Sequence, residues 1–266
     1  MQTMLDLIHN ATLQAWIWGP LMGVILGALF AGLTSAPTVN APVTVSQTKN
    51  VYLTKVIVTD PRASSGDDDK GTMVILIGAG LGLAFLVWKY AVHFDEVHNG
   101  LMGLLLTLLA FSLTTAVVSF FKGQFTSSSW ALYIAAPCSI LVACAALLSL
   151  ARVSFDPALT PLATQHTFLS FYTQGLSSYG QIFMMFQVLG VALIFLVMVF
   201  TGVALLHYLA LMNQRSYSPL QGLWIFLTGL TLAFSGARWL FVMALLLGLS
   251  ALLIEPGLMT KWVTQR

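Results

Sequence analysis

The stretch Ile182–Met212, IFMMFQVLGVALIFLVMVFTGVALLHYLALM, holds no Asp, Glu, Lys or Arg. About 20 apolar residues of α-helix cross a bilayer core, so this run can span a membrane and still tilt or protrude. Four further runs meet or approach that length: Ala15–Leu33, Met73–Tyr90, Leu101–Phe121 and Trp130–Ala151. Beyond Pro219, two shorter apolar runs, LQGLWIFLTGLTLAF and WLFVMALLLGLSALLI, are separated by SGAR. They read as a tight transmembrane hairpin, which gives seven spans; one span followed by an interfacial helix, giving six, is the alternative. The fold class expected is an all-α polytopic membrane protein with a small extramembrane β-hairpin.

Composition points the same way. The chain of 266 residues is 58% hydrophobic and 8% charged, with a mean hydropathy of +0.88, too apolar and charge-poor for a soluble globular domain. Its net charge of +2 comes from few groups, so neither nucleic acid nor an acidic substrate is expected, and the lipid bilayer is the first partner. Cys138 and Cys144 share one apolar run at neither a redox nor a metal spacing, and no disulfide framework follows. Met1–Gln14 carries Asp6 but no Lys or Arg, so the first run reads as a retained helix and not as a signal peptide. The small residues of LTSAP leave removal of Met1–Ala36 as the alternative.

Lys and Arg set the orientation, because cytoplasmic flanks are enriched in them. With seven spans, Lys49, Lys55, Arg62, Lys70, Lys122, Arg215, Lys261 and Arg266 fall on one side, against Lys89, Arg152 and Arg238 on the other. In a bacterial inner membrane this places the first long loop and the C-terminus in the cytoplasm. The N-terminus, HFDEVHNG (His93–Gly100) and Val153–Gly180 then face the periplasm. The expected organisation is a first segment and helix (1–35), a cytoplasmic hairpin with an acidic linker (36–71), a three-helix region (72–152), a periplasmic amphipathic segment (153–181) and C-terminal helices (182–266).

Within Thr38–Thr59, valines, threonines, Tyr52, Leu53 and Ile57 form two strand-like runs around the turn SQTKN. A two-stranded hairpin is only marginally stable alone. Val43, Val45, Tyr52 and Lys55 are therefore the residues expected to dock on a partner or a second copy. The acidic linker DPRASSGDDDKG follows. In Val153–Gly180, prolines and aromatics alternate in the manner of a short amphipathic helix at the membrane surface.

His93, Asp95, Glu96 and His98 form the densest polar cluster, and imidazoles and carboxylates are metal ligands. His166 is expected on the same side. No HExxH and no paired ExxH motif accompanies them, so a solvated turn between two spans is the reading, with no metal and no cofactor assigned. His207 lies in the longest helix, where an ionisable group suggests function, but the nearby Arg215 puts it close to the headgroups as an interfacial side chain. Gly19, Gly23, Gly27 and Ala31 recur every four residues, a stripe on which helices approach closely. Gly78, Gly80 and Gly82, and Gly222, Gly229 and Gly236, are less regular versions. The stripe and the unpaired hairpin together suggest a homo-oligomer.

Nucleophile-elbow, phosphate-loop and structural-zinc motifs are lacking, and GAGLGLAFL at Gly78 sits in an apolar helix without a βαβ unit. An enzyme is not expected. Residues 179–253 carry a Tyr-led helix with an internal Gly, the polar connection HYLALMNQRSYSPL and a Gly-containing helix. This order resembles the small inner-membrane subunits of type IVB secretion systems and related I-type conjugation machines, the IcmC/DotE kind. The resemblance implies a non-enzymatic component of a secretion or conjugative transfer apparatus. An oligomeric channel, such as a membrane effector of antiphage defence, is the alternative, with Thr114, Thr115, Ser139 and Ser149 as its lining.

Overall fold

The computed structural model describes residues 14–32, 68–122, 131–213, 221–234 and 237–255, and these are all-helical, with no strand among them. The hairpin expected in 36–60, with Val43, Val45, Tyr52 and Lys55, lies outside the described residues. A π-helical turn, Gln14–Trp18, leads into α1 (Gly19–Gly32). There follow α2 (Asp68–Val92), α3 (Phe94–Phe121), α4 (Ala136–Ser154), α5 (Leu159–Gln165), α6 (Phe168–Ser170), α7 (Ser178–Asn213), α8 (Gln221–Leu230) and α9 (Ala237–Ile254). Three stretches are long and apolar enough to cross a membrane, Phe94–Phe121, Tyr133–Ser154 and Ser178–Asn213; four shorter apolar ones are Trp16–Phe30, Gly78–Val92, Gln221–Leu230 and Arg238–Ile254.

The centre is an alternating bundle of α3, α4 and α7. Asp95 meets Arg152 at one end (3.6 Å) and Ser112 Oγ meets Cys138 Sγ (2.8 Å) further along, so α3 and α4 run antiparallel. Gln187 donates to the Ala151 carbonyl (2.8 Å), while Tyr133 stacks on Tyr208, so α4 and α7 are antiparallel too. Each helix uses apolar residues around most of its circumference, as helices without a water-facing side do. α4 carries Pro137 in its first turn, where a missing N–H costs nothing.

Two connections differ from the expected topology. HFDEVHNG does not form a loop between packed spans: α2 gives way to α3 at the single residue His93 (φ −110°, ψ 30°). Helical bonding runs through it, from His93 N to Lys89 O and from Val97 N to His93 O. The two helices scarcely touch beyond this junction. At the other end of the sequence, α8 and α9 do not fold back on each other as a hairpin would. They follow one another along α7 in one direction: Thr231 at His207, Phe234 at Phe200, then Ser250 at Gly190. A short 3₁₀ turn, Leu232–Phe234, ends the first half.

The segment expected as one surface helix is two short helices and a π-helical turn, Phe171–Gly175. It clasps the last turns of α2. Trp88 Nε1 donates to the Ala163 carbonyl (3.1 Å) and the Tyr172 hydroxyl to the Ala84 carbonyl (2.6 Å). Gln181 ties the clasp to α7 through the Tyr172 carbonyl (2.8 Å). Burial pushes the Tyr172 phenol up to about 12, so it stays a neutral donor to Ala84.

Candidate functional site

The glycine stripe of α1 lies on α3 of the same chain, and because both helices advance together the pair is parallel. A Cβ at Gly19 would stand 2.8 Å from the Gly103 carbonyl oxygen, and one at Gly27 would stand 2.9 Å from Thr114 Cβ. Between them, a Cβ at Gly23 would strike the Thr107 carbonyl oxygen. Absence of side chains here is what lets the two backbones approach. The side chain of Ala31 lies outside the described residues. By contrast, Gly78, Gly80, Gly82, Gly222 and Gly229 have nothing within 4 Å of an added Cβ.

His93, Asp95, Glu96 and His98 separate by helical phase. Phe94 and His98, four residues apart on one face, turn inward, and the His98 ring stacks on Phe94 (5.7 Å), which stacks on Phe155 (3.7 Å). His98 is 1% exposed, and neither ring nitrogen has a hydrogen-bond partner. His93, Asp95 and Glu96 turn outward, His93 Nδ1 pairing with Glu96 (2.8 Å) and Asp95 with Arg152. Among the described residues no three His, Cys, Asp or Glu side chains converge as metal ligands. Cys138 and Cys144 are free thiols.

The four side chains considered as a channel lining scatter. Thr114 packs on Gly27 and Thr115 is fully buried. Ser139 and Ser149 are exposed and donate to the carbonyls of Ala135 (3.0 Å) and Ala145 (2.9 Å) on their own helix. Such back-bonding satisfies a hydroxyl without a partner helix.

The polar contacts that do converge are on α7. Tyr208 donates to Ser119 (3.4 Å) and Asn213 to the Phe30 carbonyl (3.3 Å), joining α3 and α1 to α7. His207 is fully buried, its ring meeting Thr231 just past the end of α8. Its Nδ1 lies 2.8 Å from Thr231 Oγ1, and that hydroxyl lies 2.7 Å from the Leu227 carbonyl. Thr231 has one proton; given to Leu227, it leaves Thr231 to accept from the Nδ1–H. Nε2 is then a bare acceptor without a partner.

His207 and Thr231 lie where α7 meets the end of α8 (Leu230) and, beyond it, the start of α9 (Ala237). Trp239 is 4% exposed with no partner for its indole N–H, and Arg238 is exposed beside it. Sequence patterning does not single out Thr231 or Trp239, and it marks Arg238 only as a loop charge. The signal that could have found them was SGAR between two runs each too short to span. Comparison of the chain with protein-family models, with curated proteins and with solved structures gives no match.

Proposed function

We propose that this protein is a non-enzymatic, multi-pass subunit of a larger assembly in a bacterial inner membrane, and that it crosses six times. The observation that carries the assembly reading is α2. It joins its own bundle through Ala84–Val92, whereas among the described residues Val74 is 70% exposed and Gly78, Gly80 and Gly82 have no neighbour within 4 Å of an added Cβ. A helix with bare glycines in a membrane is shaped for close approach by another helix. The resemblance of residues 179–253 to IcmC/DotE-like subunits attaches this reading to secretion or conjugative transfer. The pore reading draws no support from Thr114, Thr115, Ser139 and Ser149, which face different neighbours. Gly80→Cys, in a chain with Cys138→Ala and Cys144→Ala and carrying a thiol-attached photo-cross-linker, is expected to cross-link in native membranes to a second copy or to another subunit. A chain that stays entirely uncross-linked, although the introduced thiol reacts with a lipid-soluble maleimide, would refute the assembly reading.

The six crossings follow from helix directions. α1 and α3 run parallel, α4 and α7 alternate with α3, and α8 with α9 completes one broken crossing antiparallel to α7. A return across the membrane is then required between α1 and α3, and α2 is the apolar helix assigned to it. On this topology the charge count would set Lys49, Lys55, Arg62, Lys70, Lys122 and Arg215 against Lys89, Arg152, Lys261 and Arg266. The Asn213 side is again cytoplasmic, but Ile254 and the residues after it move to the periplasm, opposite to the seven-span expectation. Alkaline phosphatase fused after Arg266 should be active in intact cells; an inactive fusion would restore the odd number of crossings.

A further inference from the structure

His98 is the buried ionisable side chain at the α2–α3 junction. It is 1% exposed, and among the described residues neither ring nitrogen has a hydrogen-bond partner. A neutral imidazole carries one N–H and one lone pair, whereas a protonated one carries two N–H donors. The closed junction supplies no acceptor for either. Instead the ring joins an aromatic stack: Phe94 lies 5.7 Å from it between centroids, Phe155 lies on Phe94 at 3.7 Å, and Tyr90 of α2 meets Phe94 and Phe155 edge-on at 5.5 and 6.2 Å.

The charged groups whose fields reach His98 are Arg152 on α4 and Asp95 on its own helix. They face each other at 3.6 Å, both exposed, so their opposite fields offset at the ring. Residues 14–32, which include α1, hold no ionisable side chain, and α7 holds none between Phe183 and Leu206. On α2 and at the junction, Lys89 lies over Trp88 and His93 pairs with Glu96, all but Trp88 exposed; on the clasp, Asp156 is exposed and His166 half-buried.

The backbone beside this ring has a pivot. α2 ends and α3 begins at His93 alone, and a change of φ and ψ at one such residue re-aims a whole helix. Turning α2 there parts Tyr90 from Phe94 and Phe155 and lets water into the stack next to His98.

We propose that protonation of His98 opens the α2–α3 junction, so that mild acid re-aims α2. In the closed form the ring stays neutral, because a charge there has neither an acceptor nor a net counter-charge. In the open form it reaches water and takes up a proton at the ordinary imidazole value of about 6.5. The open form then binds more protons, and the equilibrium moves towards it as pH falls below that value. α2 is also the helix whose bare glycines carry the assembly reading, but the acid response requires no partner and no fixed number of crossings.

Ala91, fully buried two residues before His93, reports the opening. Ala91→Cys, in the full chain lacking Cys138 and Cys144 and held in lipid nanodiscs, is labelled with an impermeant maleimide. Its rate is divided by that of Val153→Cys, at an exposed position, which cancels the pH dependence of thiol reactivity. One proton bound by the open form raises this ratio up to about thirtyfold from about pH 7.5 to about pH 5. His98→Leu, which cannot titrate, leaves the ratio flat, and His93→Gln keeps the rise. Ala210→Cys, buried towards the far end of α7, separates local opening from unfolding of the bundle, and its ratio stays flat. A ratio at Ala91→Cys that does not change with pH, a rise that survives His98→Leu, or an equal rise at Ala210→Cys would overturn the proposal. The isolated chain suffices for each measurement, so the assembly reading stands or falls by its own cross-link.

Discussion

Gly23→Leu should destabilise the bundle by about 3 kcal/mol, measured as the shift in unfolding by SDS titration in mixed micelles. The nearest atoms to a Cβ at this position are the Thr107 carbonyl oxygen, Ala110 Cβ (2.9 Å) and Phe111 N (2.9 Å). Two of the three are backbone, so no rotamer change relieves the clash. The helices must separate, and the contacts at Gly19 and Gly27 separate with them. Thr107 cannot be displaced cheaply either, since its hydroxyl donates to the Gly103 carbonyl (2.7 Å) within α3. Gly80→Leu is the matched control. With nothing within 4 Å of that position, its effect should stay within about 0.5 kcal/mol in the isolated chain. Equal losses at both positions would mean that glycine content, and not the α1–α3 approach, sets stability.

The stripe shows what was legible in the sequence. A four-residue repeat of small residues fixes which face of α1 is narrow, and apolar length picks out α3, α4 and α7. Neither says whether the narrow face meets α3 or another molecule, because an intramolecular helix and a second copy offer the same surface. SGAR failed for a related reason. Two short apolar runs flanking a polar break fit a hairpin and a broken crossing equally well by hydropathy. What hydropathy does not carry is their end-to-end order along α7, set by Thr231 with His207 and Ser250 with Gly190 (2.9 Å). For His207, the distance to Arg215 along the helix speaks of depth and not of what covers the side chain, and its burial under Thr231 was not legible. Ser139 and Ser149 are exposed, each donating its hydroxyl to a carbonyl of its own helix, a local bond that polarity in the sequence does not reveal.

Phe94→Ala should be the second costly change, at about 4 kcal/mol, while its neighbour Asp95→Asn should cost no more than about 1 kcal/mol. The difference comes from one residue of helical phase. Phe94 is buried, stacked face to face on Phe155 at 3.7 Å and edge-on to Tyr90 at 5.5 Å, so its ring joins α2, α3 and α4 at the point where α2 turns into α3. Removing it leaves a cavity lined by three aromatic rings, His98 among them, at the junction of α2 with α3. Asp95 is exposed to water with Arg152, where pairing gains little. Thermal unfolding in detergent separates the two variants. The same comparison bears on the polar cluster, because a functional role for the acidic side chains predicts the reverse order: folding insensitive to Phe94 and activity of the assembly lost with Asp95. If Phe94→Ala unfolds the chain and Asp95→Asn leaves both stability and complex formation intact, HFDEVHNG is a helix junction whose buried face carries its importance.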